Sequence, residues 1–161
     1  MIFFGIDPGI ARIGWAAITA NSNKFSPVDY GCLETSSKLT HEQRLVQIHQ
    51  FLLDKFAKIK PDFVAIEDLF FAKNAKTAFI VGQARGVIVL TARLANIPIS
   101  SYTPLQVKQA LTGYGRADKN QISQMVKILL KLNNIPKPDD AADALAIALT
   151  GAFSYKLESK L

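Results

Sequence analysis

The heptapeptide DFVAIED, residues 62–68, is a strand-length apolar run set between two helix-length segments, and that placement decides the architecture. Before it, Leu45, Ile48, Leu52, Phe56 and Ile59 recur at three- and four-residue spacing, which predicts an amphipathic helix over Glu42 to Lys58, ended by Pro61. After it, a long helical segment from about Ala75 to Ala95 leads to a second strand-like run, IPISSY (97–102). Strands that alternate with helices imply parallel pairing through crossovers. Upstream lie three further strand-like segments, IFFGID (2–7), IGWAAITA (13–20) and VDYGCLET (28–35). The turn-rich connections PGIAR and NSNKFSP make these an antiparallel meander, with Gly9 and Gly14 serving the first hairpin turn. Downstream, Thr103 caps a helix with Pro104 at its first position and Gly113 at its end. Asp118 and Gln121 form a capping-box start for a helix carrying Ile122, Met125, Val126 and Leu129. The last element is PKPDDAADALAIAL (136–149), an almost wholly apolar helix with acids at its start. The predicted fold is α/β, a five-stranded mixed sheet with its first three strands antiparallel, flanked by helices. One domain is expected over residues 1–153, with a polar tail at 154–161.

Composition narrows the partners. The 161 residues carry a net charge of +6, unevenly spread. Between Leu69 and Pro138 there are ten Lys or Arg and one acid, a net of +9, whereas the remainder holds nine bases and twelve acids, a net of −3. A concentrated basic half suits a polyanion, and nucleic acid fits better than a membrane because no basic amphipathic anchor stands apart from the core pattern. The apolar runs are interrupted before the length of a membrane span, and MIFFGIDPG lacks the basic start of an export signal. A soluble, cytoplasmic protein is expected. Cys32 is the single cysteine, which excludes an internal disulfide and a Cys-rich zinc site and makes it a small buried hydrophobe.

The acids carry the chemistry. Asp139, Asp140 and Asp143 open the last helix, and Asp at a helix start has an ordinary role as a cap and dipole complement. Asp140 and Asp143, three apart, also share one face of a buried helix, where two carboxylates repel unless a cation or proton lies between them. Asp7 ends the first strand and Glu67 the fourth. With those strands adjacent and parallel, both acids open at the same sheet edge, and the start of the last helix can pack across it. Clustered carboxylates without His or Cys suit a hard cation, Mg²⁺ or Mn²⁺, and phosphate is the natural substrate of such a site. His41 and His49 fall on or beside the first helix as surface or edge-packing residues.

The stretches GIDPGIARIGWA, AIEDLFFAKNAKTAFIVGQARG, YTPLQVKQALTGYGRADKNQ and DDAADALAIAL, spread over nearly the full chain, resemble RuvC-type Holliday junction resolvases of the ribonuclease H-like superfamily. The resemblance implies a ribonuclease H-like fold and a structure-specific endonuclease that resolves four-way DNA junctions in recombination and repair. It implies that Asp7, Glu67, Asp140 and Asp143 are catalytic and bind metal, two Mg²⁺ per site with Mn²⁺ able to substitute, and that Lys108 and Lys119 handle the scissile phosphate. Asp139 is then a cap or a supporting group. The resemblance also points to Phe70, rather than Phe71, as a residue that stacks on an unpaired base, and to a bacterial branch-migration motor as partner. Lys73, Lys76, Arg116 and Lys127 extend the expected DNA track, with Lys131 following at helical spacing. Where family members often carry His late in the last helix, this chain has Thr150 and Gly151. A homodimer is expected, since paired nicks need two acidic clusters and each chain has one. Its expected surface is the stripe Phe79, Gly82, Gly86, Val89 and Arg93.

Three alternatives compete. GIDPG also resembles the first phosphate loop of actin-like ATPases, but those need two such lobes. A non-catalytic junction-binding module has no use for four converging acids. Another ribonuclease H-like nuclease, of the short resolvase-like type, is the closest rival.

Overall fold

The computed structural model describes residues 1–21, 24–68 and 75–158, the side chains of 75–76 and 156–158 excepted. Its strands are β1 (Ile2–Asp7), β2 (Arg12–Asn21), β3 (Lys24–Glu34), β4 (Phe63–Glu67) and β5 (Ile99–Tyr102). They form one sheet in the order β3-β2-β1-β4-β5. β1 to β3 are an antiparallel meander, whereas β4 pairs in parallel with both β1 and β5. The helices are α1 (His41–Ile59), α2 (Ala75–Leu94), α3 (Pro104–Thr112), α4 (Lys119–Leu129) and α5 (Asp139–Glu158). The mixed sheet flanked by helices thus agrees with the sequence reading.

Strand periodicity divides the core between the two faces of the sheet. Phe4, Ile6, Trp15, Val64 and Ile66 pack with Ile48, Leu52 and Phe56 of α1 and with Ala84, Ile88 and Ala92 of α2. Phe3, Ala16, Ile18, Phe63 and Ala65 face the other way, onto α5 with α3 and α4 outside it. Asp7 continues the Phe3-Gly5 face and Glu67 the Phe63-Ala65 face, so both acids leave the sheet on the α5 side. Ile6 pairs with Ile66, which makes Asp7 and Glu67 the next residues of two adjacent parallel strands.

Helix α5 can lie this close to the sheet because glycine faces it. A Cβ on Gly5 would stand 2.1 Å from the Ala144 carbonyl oxygen, and one on Gly14 would stand 2.0 Å from that of Asp140. Gly14 therefore serves helix packing inside β2 and not the hairpin turn expected of it, whereas Gly9 does belong to the turn, against the Arg12 carbonyl. The capping boxes of Thr103 with Gln106 and Asp118 with Gln121 are both formed, and Gly113 ends α3 in the left-handed region at φ 71°. Lys131, by contrast, lies past the end of α4 with φ 52°, so it does not extend a helical row. Cys32 is half-buried, less enclosed than expected. The Nδ1 of His49 meets the Thr91 hydroxyl at 2.8 Å and ties α1 to α2.

Two expectations need correction. Helix α5 runs on to Glu158, through the first residues of the segment expected to be a polar tail, and the Tyr155 ring packs edge-on at 5.8 Å from both Phe3 and Phe63. Within α2, Thr77–Leu94 has a mean hydropathy of 1.3, long and apolar enough to cross a membrane by length and composition. Arg85, in the middle of that window, reaches Asp68 after β4 at 3.2 Å and donates to the Ser101 hydroxyl of β5 at 2.6 Å. Those bonds make the helix a layer of the α/β fold, with one face on the sheet.

Candidate active site

A cleft of about 210 Å³ opens at the edge where β1 and β4 end. Asp7, Glu67 and Asp143 line it together with Lys108 and Lys119, and Pro104, Val107, Ile122, Ala146 and Ile147 form its apolar wall. Three of the four expected acids and both expected lysines therefore meet, from strands β1 and β4 and helices α3, α4 and α5. Each backbone has its reason to be there. The parallel register aligns Asp7 with Glu67, the capping box of Thr103 aims α3 so that Lys108 enters one turn later, and Asp118 starts α4 so that Lys119 stands at its first position.

Burial and crowding make the ionised acids of the cleft costly. Burial, then repulsion from Glu67, Asp143 and Asp140, pushes the Asp7 carboxyl up to about 7, with Lys119 opposing. Glu67 rises to about 7 through burial and then repulsion from Asp143. Asp143 is raised by burial, although Lys119 donates to its Oδ2 at 3.1 Å. The same pairing raises the pKa of Lys119.

The remaining acids are held to one side. Asp140 stands beside the cleft lining, with its Oδ2 3.1 Å from the Arg12 guanidinium, and still raises the carboxyls of Asp7 and Asp143. Asp139 does not cap α5: the amides of Ala141 and Ala142 reach the Pro138 carbonyl, and the Asp139 carboxylate faces Lys137 at 2.8 Å and Lys119 at 3.8 Å. It shares Lys119 with Asp143. Among the described residues no three His, Cys, Asp or Glu side chains close into a ready-made metal cage. The donor set nevertheless fits a hard cation, since it consists of carboxylate oxygens whose pKa values are raised first by burial and then by their mutual repulsion, both of which a bound cation would offset.

Of the expected DNA contacts, Phe70 and Lys73 lie outside the described residues, as does the side chain of Lys76 at the start of α2. Arg116 is exposed on the connection between α3 and α4, and Lys127 is half-buried in the last turn of α4; neither lines the cleft. The sequence reading missed Arg12 and Arg85. Arg12 could have been found only by noting that it shares a strand face with Gly14 and hence with the start of α5.

Residues 3–151 match the family Crossover junction endodeoxyribonuclease RuvC. The chain belongs to that family. A RuvC from Halothermothrix orenii is 53% identical over 160 residues, covering 99% of this chain and 97% of its own length. The structure of Thermus thermophilus RuvC in complex with Holliday junction substrate superposes with a TM-score of 0.94 at 36% identity, covering 99% of this chain and 97% of that one. The yeast mitochondrial Holliday junction resolvase Ydc2 shares the fold at 17% identity, with a TM-score of 0.69 over 98% of this chain and 80% of its own. The RuvC family and its ribonuclease H-like fold are those the four sequence stretches pointed to.

Proposed function

We propose that this chain is a crossover junction endodeoxyribonuclease that resolves four-way DNA junctions by paired, metal-dependent hydrolysis of phosphodiester bonds in recombination and repair. One observation carries the reading: Asp7, Glu67 and Asp143 meet Lys108 and Lys119 around a single cleft at the sheet edge. Membership of the RuvC family, and a Thermus relative whose structure contains a Holliday junction, support the junction as substrate. The size of the cleft favours it over the nucleotide-binding alternative. About 210 Å³ lies below the roughly 300–1,000 Å³ of pockets that enclose a small-molecule ligand, and it suits a phosphate group that enters while its DNA stays outside.

In this reading Asp7, Glu67, Asp140 and Asp143 hold two Mg²⁺ ions, for which Mn²⁺ substitutes. When bound, such ions activate water and stabilise the leaving oxygen of an in-line displacement. The chain's own contribution is placement and charge. Lys108 and Lys119 bind non-bridging phosphate oxygens and offset the charge that develops on them. The apolar wall of Val107, Ile122 and Ile147 limits water in the cleft and strengthens those contacts. Phe70, Lys73, Lys76, Arg116 and Lys127 extend the grip along the DNA.

The working unit is a homodimer joined through α2, acting in the bacterial cytoplasm with a branch-migration motor. Nicking assays on four-way junctions, linear duplex and RNA–DNA hybrids test the proposal. Symmetric, Mg²⁺-dependent cuts in the junction are expected, with little cutting of the other two. Full activity in excess chelator, or a preference for hybrids, refutes it.

A further inference from the structure

Asp140 alone of the four acids stands outside the cleft lining, and the side chain against it has no place in the account so far. Arg12 and Gly14 are two residues apart on β2 and therefore face α5 together. At Gly14 the strand backbone and the first turn of α5 touch, with no room for a Cβ beside the Asp140 carbonyl or, at 3.2 Å, much room beside its Cβ. The Asp140 main chain is thus fixed against the strand that pairs with Asp7. Its carboxylate is then taken by Arg12, whose Nη2 is 3.1 Å from Asp140 Oδ2 and 3.5 Å from Glu34 Oε1. Glu34 ends β3 directly opposite Arg12, so the guanidinium is steadied between two carboxylates from different elements.

We infer that Arg12 is a positioning residue for Asp140: it fixes the orientation in which that carboxylate meets a divalent cation. Arg12 is about half exposed, and an ion pair of that kind contributes little to folding, so its removal should act on the placement of the Asp140 carboxylate more than on stability. Carboxylates that hold a metal depend on the groups hydrogen-bonded to them, and losing such a group typically weakens metal binding about 10- to 100-fold. The inference rests on Asp140 being one of the metal-holding acids.

Mn²⁺ binding to the free protein, measured by calorimetry without DNA, separates the two. Arg12→Ala should weaken Mn²⁺ binding about tenfold or more. Arg12→Lys should recover part of that loss, and Asp140→Asn should bind no better than Arg12→Ala. Junction affinity of Arg12→Ala should stay near wild type, and its nicking should be restored by raising Mn²⁺. Should Arg12→Ala melt early, Arg12→Gln keeps a neutral donor and carries the same expectation. Wild-type Mn²⁺ affinity in Arg12→Ala beside a weakened Asp140→Asn overturns the role of Arg12 alone. Unchanged binding in Asp140→Asn overturns it together with the reading of Asp140. A loss confined to junction affinity makes Arg12 a phosphate contact and overturns it as well.

Discussion

Asp7 and Glu67 are costly residues for the fold that carries them. Each sits at a buried sheet edge among other acids, and each is pushed up to about 7. A carboxyl whose folded pKa is raised favours the fold while protonated, so its contribution is complete below about 4, fades as pH rises and is gone above about 7. The metal-free protein should therefore melt at progressively lower temperature from pH 5 to pH 7.5 and level off beyond, Asp7 accounting for up to about 3 kcal/mol after its partial solvent contact is discounted. Calorimetric scans in chelator check this. Asp7→Asn should flatten the decline, and Mg²⁺ should raise the melting temperature more at pH 8 than at pH 5.5, because protons compete for the same oxygens. A metal-free melting curve that rises with pH contradicts the arrangement. The same carboxylates should be indispensable for cutting. Asp7→Asn, Glu67→Gln, Asp140→Asn and Asp143→Asn are each expected to lower nicking at least 100-fold with junction affinity retained, as read by single-turnover cleavage beside a binding titration. At this scale the sequence was informative where period and position agree: strand alternation and strand ends put Asp7 and Glu67 on one edge. It was silent on Arg12 and on the true partner of Asp139, because those contacts join residues whose proximity depends on the docking of α5.

Between elements the close approach of α5 to the sheet governs the site. Asp140 and Asp143 ride on its first turns, so any lift of the helix moves half of the acids. Gly5 is the test, since the nearest atoms to an added Cβ are backbone atoms of Ala144 and Ala148 that cannot rotate aside. Gly5→Ala should cost roughly 1–3 kcal/mol, lowering the melting temperature by up to about 10 °C in a chain of this size. Nicking at a temperature where the variant is folded should fall more than junction affinity does. A wild-type melting point would show that α5 does not bear on β1 this closely. Caps were legible where they were read, because a capping box is a local pattern of four residues: Asp118 with Gln121 was read in full and Thr103 as a cap, whereas its partner Gln106 and the Thr40–Gln43 box that starts α1 were legible in the same way but passed over. The role of Gly14 was not legible. A glycine next to a turn and a glycine beneath a helix read alike until the helix is in place.

In the whole molecule, α2 is where two chains should meet. Its sheet-facing side buries Ala84, Ile88, Thr91 and Ala92, while Phe79, Leu90 and Leu94 on the outer side are 69%, 57% and 63% exposed. Of the expected stripe, Phe79, Gly86 and Arg93 are exposed and Gly82 and Val89 half-buried, and Leu90 and Leu94 stand exposed beside it on the outer face. Periodicity alone could not separate those neighbours, because α2 is apolar around much of its circumference and the boundary between its two faces is set by the sheet. A row of large apolar side chains with a glycine among them suits a second copy of the same helix, since a two-fold axis brings identical surfaces together and Gly86 lets the backbones approach. Gly86 also makes the test clean. Nothing lies within 4 Å of a Cβ built there, and glycine is a poor helix residue, so Gly86→Glu should leave the single chain folded and at least as stable. In a dimer it would bring two buried like charges face to face, which neither helix can relieve. Sedimentation at micromolar concentration should give twice the 17.7 kDa chain mass for the wild type and a single mass for Gly86→Glu. The variant should stay folded, melt no higher than the dimer at micromolar concentration because it has lost the stabilisation that association supplies, and nick junctions one strand at a time and slowly, since the described residues of each chain form one acidic cleft and a paired cut needs two. A wild-type monomer that still makes paired cuts would place the second active site elsewhere and remove the reason for the exposed face of α2.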